Sequence, residues 1–254
     1  MFLSYNGSMT ILNVIATSHG TDSAAGREAI TLIREQIKFL LAQRNDGVEY
    51  RIHAAYVDVE SPSVDDAAAS LPNDEPCVIV PILLSTGFHT QVDLRRAARN
   101  SGIERIGIGE SLGPDPRLAA LTRTRLEEIG WAPGDSPVVQ GAAGSSRADG
   151  RADMSRAAQL LADELHVPVH HGFVAAIDPK FHEVVAEHQP KFAATYLLAE
   201  GFFSGKMRRD AESTGVPAKL AAPLVNAQDT DAATVVAECF IDRMDAAIAQ
   251  LDAG

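Results

Sequence analysis

ILNVIATSHGTDSAAGREAITLI, residues 11–33, passes within one segment from a Val- and Ile-rich run, through small polar residues, into a helical pattern. The opening run has no polar alternation, which is the signature of a strand buried on both faces. The SHGT that follows breaks it. In REAITLIREQIKFLLAQ (27–43), Ile30, Ile33, Ile37, Leu40 and Leu41 then recur at helical spacing. Strand, short turn and helix form the first part of a β-α-β unit. The pattern continues with YRIHAAYVD (50–58), CVIVPILL (77–84) and RIGIGESL (105–112) as strands. PRLAALTRTRLEEIG (116–130) is the next helix, with Leu118, Leu121, Leu126 and Ile129 on its apolar side and Gly130 as its stop. Strands separated by helices in this order predict right-handed crossovers and a parallel sheet.

The rhythm then repeats. WAPGDSP (131–137) is a Pro/Gly-rich break, and VVQGAAGS, VPVHHGFVA, FAATYLLAE and AKLAAPLV follow as a second set of strands. YVDVESPSV matches FVAAIDPKF, with Pro62 opposite Pro179, and ILLSTGF matches YLLAEGF, with Gly87 opposite Gly201. SHGTDSAAGRE has a shorter counterpart in GSSRADGRAD. Such self-similarity predicts a duplicated α/β unit, with an N-terminal lobe over 9–130 and a C-terminal lobe over 137–253. The duplication supplies an internal control. His19 is expected to face Ser145, Asp58 to face Ala175, and His89 to face Phe203 or Ser204. The second copy keeps the apolar residues and glycines but not these three side chains, so their use lies outside packing.

A chain of 254 residues, 46% hydrophobic and 22% charged, is an ordinary globular protein in composition. Its net charge of −12 argues against general nucleic-acid binding, which needs a basic face. No apolar run approaches the ~20 residues of a membrane span. MFLSYNGSMT lacks the basic start and apolar core of a secretory signal. The two cysteines, Cys77 and Cys239, form neither a disulfide framework nor a metal-binding pair, so a reduced, cytoplasmic setting is expected.

In a parallel sheet, ligands bind beyond the carboxyl ends of the strands. His19 ends the first strand, Asp58 the second and His89 follows the third, so all three are expected at one edge. Two imidazoles and a carboxylate with open positions suit a divalent transition metal. Ser18, Gly20 and Thr21 in one loop, and Ser85, Thr86, Gly87 and Thr90 in the other, add donors for an anionic ligand. The remaining histidines carry no such pattern: His170 and His171 lie within a strand, His182 and His188 fall on different faces of a helix, and His53 and His166 have no evident partner. Arg95–Arg99 is a solvated helix face whose first turn could steer an acidic substrate.

SHGT after a strand, a strand followed by PS, and PILLSTGFHTQVDL together resemble the class II ATP-independent tetrapyrrole chelatases, among them sirohydrochlorin ferrochelatases and cobaltochelatases. The loop from Leu84 to Asp93 is the most specific part. The resemblance implies a two-lobed fold with the macrocycle in a cleft between lobes. It implies insertion of Fe²⁺ or Co²⁺ into sirohydrochlorin, in siroheme or cobalamin biosynthesis, with no tightly bound cofactor and the metal as substrate. His19 and His89 carry over as metal-binding and proton-accepting histidines. The family's acidic residue before PS is usually Glu; here Asp58 holds that position, and Glu60 is a substitute within reach. The absence of a GxxxxGK[ST] loop agrees with ATP independence. With two lobes in one chain, a monomer is expected.

Two rivals belong to other classes. Phosphohistidine-type phosphatases also place His-Gly after the first strand, but they need Arg before that His, where this chain has Ser18. A non-catalytic two-lobed metal or tetrapyrrole carrier is the other, and turnover separates it from a chelatase.

Overall fold

The computed structural model describes residues 10–87, 92–175 and 177–253. The first repeat runs β1 (Thr10–Ser18), α1 (Ala24–Ala42), β2 (Val48–Tyr56), α2 (Val64–Ala69), β3 (Cys77–Pro81), α3 (Leu94–Asn100), β4 (Ile106–Ile108) and α4 (Pro116–Glu128). The second runs β5 (Val138–Ala142), α5 (Ala148–Leu165), β6 (Val169–Phe173), α6 (Phe181–His188), β7 (Phe192–Tyr196), α7 (Phe202–Ser213), β8 (Lys219–Leu220) and α8 (Thr230–Ala253). The strands form two parallel four-stranded sheets of identical order, β2-β1-β3-β4 and β6-β5-β7-β8. This is the parallel, duplicated α/β architecture that the strand–helix alternation implies.

β1 is an inner strand of its sheet, paired on both sides, and every residue from Leu12 to Ser18 is buried. Its continuous apolar run has covered faces on both sides. On α1, Ile33, Ile37 and Leu41 are buried as the helical spacing requires. Each contributes about 1.5–3 kcal/mol by leaving water. Arg34 shares that buried stripe at 8% exposure, an unexpected place for a cation. Where a run was longer than its strand, as in CVIVPILL, the chain leaves the sheet after Pro81 yet stays covered: Ile82 is buried and its N–H donates to the Thr17 carbonyl at 2.7 Å.

Two contact units divide the chain. One comprises the residues up to Thr21, Ile30–Leu112 and everything from Ala233 onward; the other comprises Asp22–Ala29 and Gly113–Ala232. The last helix of each repeat thus counts with the sheet of the other repeat. In the first unit, Arg243 of α8 donates to the carbonyls of Ser111 and Leu112, at 3.0 and 3.1 Å, and Arg44 forms a two-point pair with Asp245. In the second, Arg125 of α4 donates twice to the Leu224 carbonyl and pairs with Asp229. Among the described residues no helix is long and apolar enough to cross a membrane. Both cysteines are buried and neither forms a disulfide, and burial pushes the Cys77 thiol up to about 12, so it offers no thiolate for chemistry.

Candidate metal and anion site at the first sheet edge

The β1–β2 pairing runs on past the strand ends. Ser18 is in register with Tyr56, and then the Val57 and Asp58 N–H groups donate to the Ser18 and His19 carbonyls, each at 3.0 Å. The backbones of His19 and Asp58 are thereby fixed side by side, with the His19 side chain exposed. Gly20 then turns the chain at φ +91°, and a Cβ there would lie 2.1 Å from the Asp58 carbonyl oxygen. Only glycine accepts both the left-handed backbone and that approach.

The acidic loop opposite is built on strain. The Glu60 N–H donates to the Asp58 carbonyl at 2.7 Å, closing a three-residue turn around Val59, which sits at φ +65°. A β-branched residue in the left-handed region is an outlier, and Val59 is also 51% exposed. Strain of this kind clusters at functional sites. Its result is to separate two carboxylates. Asp58 Oδ1 accepts the Val59 N–H at 2.8 Å and so serves its own turn. Glu60 Oε1 accepts the Thr21 N–H at 2.9 Å, which ties the Glu60 carboxylate to the loop that carries His19. The structure therefore brings His19, Gly20, Thr21, Asp58 and Glu60 together.

Ser85, Thr86 and Gly87 follow β3 and are half-buried. The Leu83 carbonyl is held by the Leu112 N–H at 2.8 Å, and the Thr86 and Ser111 hydroxyls lie 3.3 Å apart. His89 and Thr90 lie outside the described residues. Among the described residues, no group of three or more His, Cys, Asp or Glu side chains is gathered as a metal site. Arg96, in the basic stretch after the loop, is engaged by Asp65 and Asp93 at 2.9 and 2.8 Å.

Hydrogen bonds of the second repeat correct one correspondence. The Ala175 N–H donates to the Ala143 carbonyl just as that of Asp58 donates to His19. The counterpart of His19 is therefore Ala143, not Ser145, and Gly144 at φ +101° matches Gly20. The two turns are equal in length, from Ser18 to Ala24 and from Ala142 to Ala148, so the shorter counterpart expected from the sequence had displaced the match. The Asp58–Ala175 match holds, and the Ile177 N–H donates to the Ala175 carbonyl as the Glu60 N–H donates to that of Asp58. The Leu224 N–H to Leu197 carbonyl bond repeats Leu112 to Leu83, which keeps Gly201 opposite Gly87. The second repeat builds the same turns without the imidazole or the carboxylates.

Arg34 escaped the sequence reading. Its Nη2 donates to Ser18 Oγ at 2.9 Å and to the Ala16 carbonyl at 3.4 Å, and its Nη1 reaches the Tyr56 hydroxyl at 3.2 Å, while the guanidinium stacks on the Tyr56 ring at 4.9 Å. The signal was there: a cation within the Ile33–Ile37 stripe. Four other histidines have structural places. His53 bonds Asn13 Oδ1 at 2.9 Å, His166 caps α5 in the left-handed conformation, and His170 stacks on His188 with ring centroids 3.5 Å apart.

Comparison with known proteins places these features. Residues 13–129 match the CbiX family model. A sirohydrochlorin cobaltochelatase of Sulfurisphaera tokodaii (strain DSM 16993 / JCM 10545 / NBRC 100140 / 7) is 29% identical over 92 residues, 35% of this chain and 73% of that protein. A sirohydrochlorin ferrochelatase of Bacillus subtilis (strain 168) is 26% identical over 171 residues, covering 62% of this chain and 65% of that relative's length. Among solved structures, SirB from Bacillus subtilis with Fe3+ superposes with a TM-score of 0.73 at 21% identity, over 93% of this chain and 95% of that one. The fold is that of the chelatases.

Proposed function

We propose that the chain is a sirohydrochlorin chelatase, on the ground that its residues 13–129 match the CbiX family model. It inserts Fe²⁺, or Co²⁺, into the macrocycle without ATP. The observation that carries this reading is that the family match falls on the repeat whose sheet edge holds His19 beside Glu60 and Asp58, while the second repeat has the same turns with Ala143, Ala175 and Ile177.

Insertion exchanges the inner N–H protons of the ring for a metal ion. His19 and His89 bind the metal and accept those protons, since a neutral imidazole near pH 7 can do either. Glu60, held against Thr21, is the acidic partner on the His19 side, with Asp58 shaping the turn beneath it. Coordination is open and weak, because the metal must leave the protein. Gly20, Thr21, Ser85, Thr86, Gly87 and Thr90 supply hydroxyl and backbone groups toward the carboxylates of the substrate, whereas Ser18, expected in that set, is buried with its hydroxyl held by Arg34 and serves the loop from beneath. The N-terminal lobe, 9–130, carries the chemistry, and the C-terminal lobe, 137–253, is its degenerate copy. A cytoplasmic monomer is the proposed working form, and iron the preferred metal.

Anaerobic incubation of the protein with sirohydrochlorin and Fe²⁺, Co²⁺ or Ni²⁺, followed by absorbance, tests the reading. Multiple turnovers above the protein-free rate support it. Rates equal to the blank with every metal would overturn it, and stoichiometric binding without turnover would indicate a carrier.

A further inference from the structure

We propose that Arg34 is a positioning residue that ties the end of β1 to the end of β2 and so sets the spacing between the His19 loop and the Asp58–Glu60 loop. The inference rests on the chelatase reading above and deepens it.

The placement is unusual in energy as well as geometry. Arg34 is 8% exposed, and its Nε is buried with no hydrogen-bond partner. Its partners are a carbonyl, a hydroxyl, a phenol and an aromatic face, and among the described residues no carboxylate pairs with it. A buried, unpaired cation is destabilising, and replacing such groups with apolar ones is often neutral or favourable. The second repeat shows the apolar solution. In register, Ser18 and Tyr56 correspond to Ala142 and Phe173. Ala158 lies as far beyond Ala142 as Arg34 lies beyond Ser18, on helices that begin at matching distances, Ala24 and Ala148. All three replacements are buried and carry no hydrogen-bonding side chain. The sheet therefore closes without the polar trio, and the trio occurs only in the repeat with the imidazole and carboxylates.

What the trio adds is a rigid link between two loops. One prong of the guanidinium holds Ser18, the residue before His19; the other holds Tyr56, two residues before Asp58. The planar fork of Arg fixes both distances at once, which neither Lys nor an apolar side chain can do. Outer-shell groups that orient ligands in this way are worth ~10 to 100-fold in affinity or activity.

The experiment uses the full chain and three variants: Arg34→Lys, which keeps the charge but loses the fork; Tyr56→Phe, which removes one prong; and the triple Ser18→Ala, Arg34→Met, Tyr56→Phe, which copies the chemistry of the second repeat. Thermal midpoint, metal insertion rate and affinity for Co²⁺ alone are measured for each. The triple variant is expected to melt at or above the wild-type midpoint, yet to insert metal at least ~10-fold more slowly and to bind Co²⁺ at least ~5-fold more weakly. Arg34→Lys should be similarly slow, and Tyr56→Phe intermediate. Insertion by Arg34→Lys or by the triple variant within about twofold of wild type would overturn the proposal, as would a fall in melting midpoint that tracks the loss of activity. If the wild type inserts no metal, the chelatase reading fails separately. Co²⁺ binding then decides this inference: weakened binding in the variants upholds it, and unchanged binding, or none in the wild type, overturns it.

Discussion

His19 is exposed at the end of a buried strand, so its removal leaves little cavity and little loss of stability. His19→Ala should melt within a few degrees of wild type and yet lose ~10²–10⁴-fold in insertion rate, the usual worth of a positioned acid–base group. His89→Ala should lose a similar factor; near-full activity in both variants, each folded, would remove the two-histidine site. The carboxylates separate by what they bond. Glu60→Gln keeps the size of the side chain while removing the charge held beside Thr21, and should cost ~10 to 100-fold. Asp58→Asn keeps an oxygen for the Val59 N–H and should cost less than Glu60→Gln. Rate measurements that reverse this order would return the acidic role to Asp58. At this scale the sequence showed His19 and Asp58, because each ends an apolar run. It left Asp58 and Glu60 undivided, since their difference is a matter of which backbone N–H each accepts across the Val59 turn. Arg34 was hidden because helical periodicity reports where the apolar residues point and says nothing of a cation lodged among them.

Strands and helices were legible in kind and order, and less so in length. YRIHAAYVD and VPVHHGFVA emerged as β2 and β6, while RIGIGESL and AKLAAPLV contain strands of only three and two residues. Apolar residues mark burial, and a covered loop such as Ile82–Leu83 is as apolar as a strand. Side-chain pairing between elements was less visible still. His170 on β6 and His188 at the end of α6 stack with an interplanar angle of 9°, a contact that needs the tertiary fold. Burial lowers the His170 pKa below its usual value, the positive charge of His188 adds to the effect, and burial also lowers that of His171. A histidine whose folded pKa is depressed binds its proton more readily in the unfolded chain. The stability it contributes is therefore complete above the unfolded value of about 6.5 and is lost as pH falls through the folded pKa. Denaturant midpoints should decline as pH is lowered through that window, and His170→Asn should flatten the decline. An identical pH dependence in the variant would show that the stack plays no part.

Across the whole molecule, sequence order and contact order diverge. The internal repeat was visible because matching turns recur, at Pro62 and Pro179 and at Gly87 and Gly201. The exchange of terminal helices was not, since an amphipathic helix records that it has an apolar face but not which sheet will cover it. α8 is read last in the chain, yet from Ala233 onward it belongs to the unit that holds His19. Val236, Phe240, Met244 and Ala247 are buried along it, and its Arg243 fixes the loop after β4 that also holds Leu83 and Thr86. Damage at the C-terminus should therefore be felt first at the N-terminal sheet. Phe240→Ala removes a fully buried aromatic side chain and should cost about 3–5 kcal/mol. Hydrogen exchange at subdenaturing conditions can locate that cost. Amides of β1, β2 and β3 should lose protection before those of β5, β6 and β7, because the missing side chain lies in their unit, and insertion activity should fall with them. If β5–β7 loosened first while β1–β3 stayed protected, the energetic coupling would follow the order of the repeats in sequence, and the helix exchange would be without weight in holding the site.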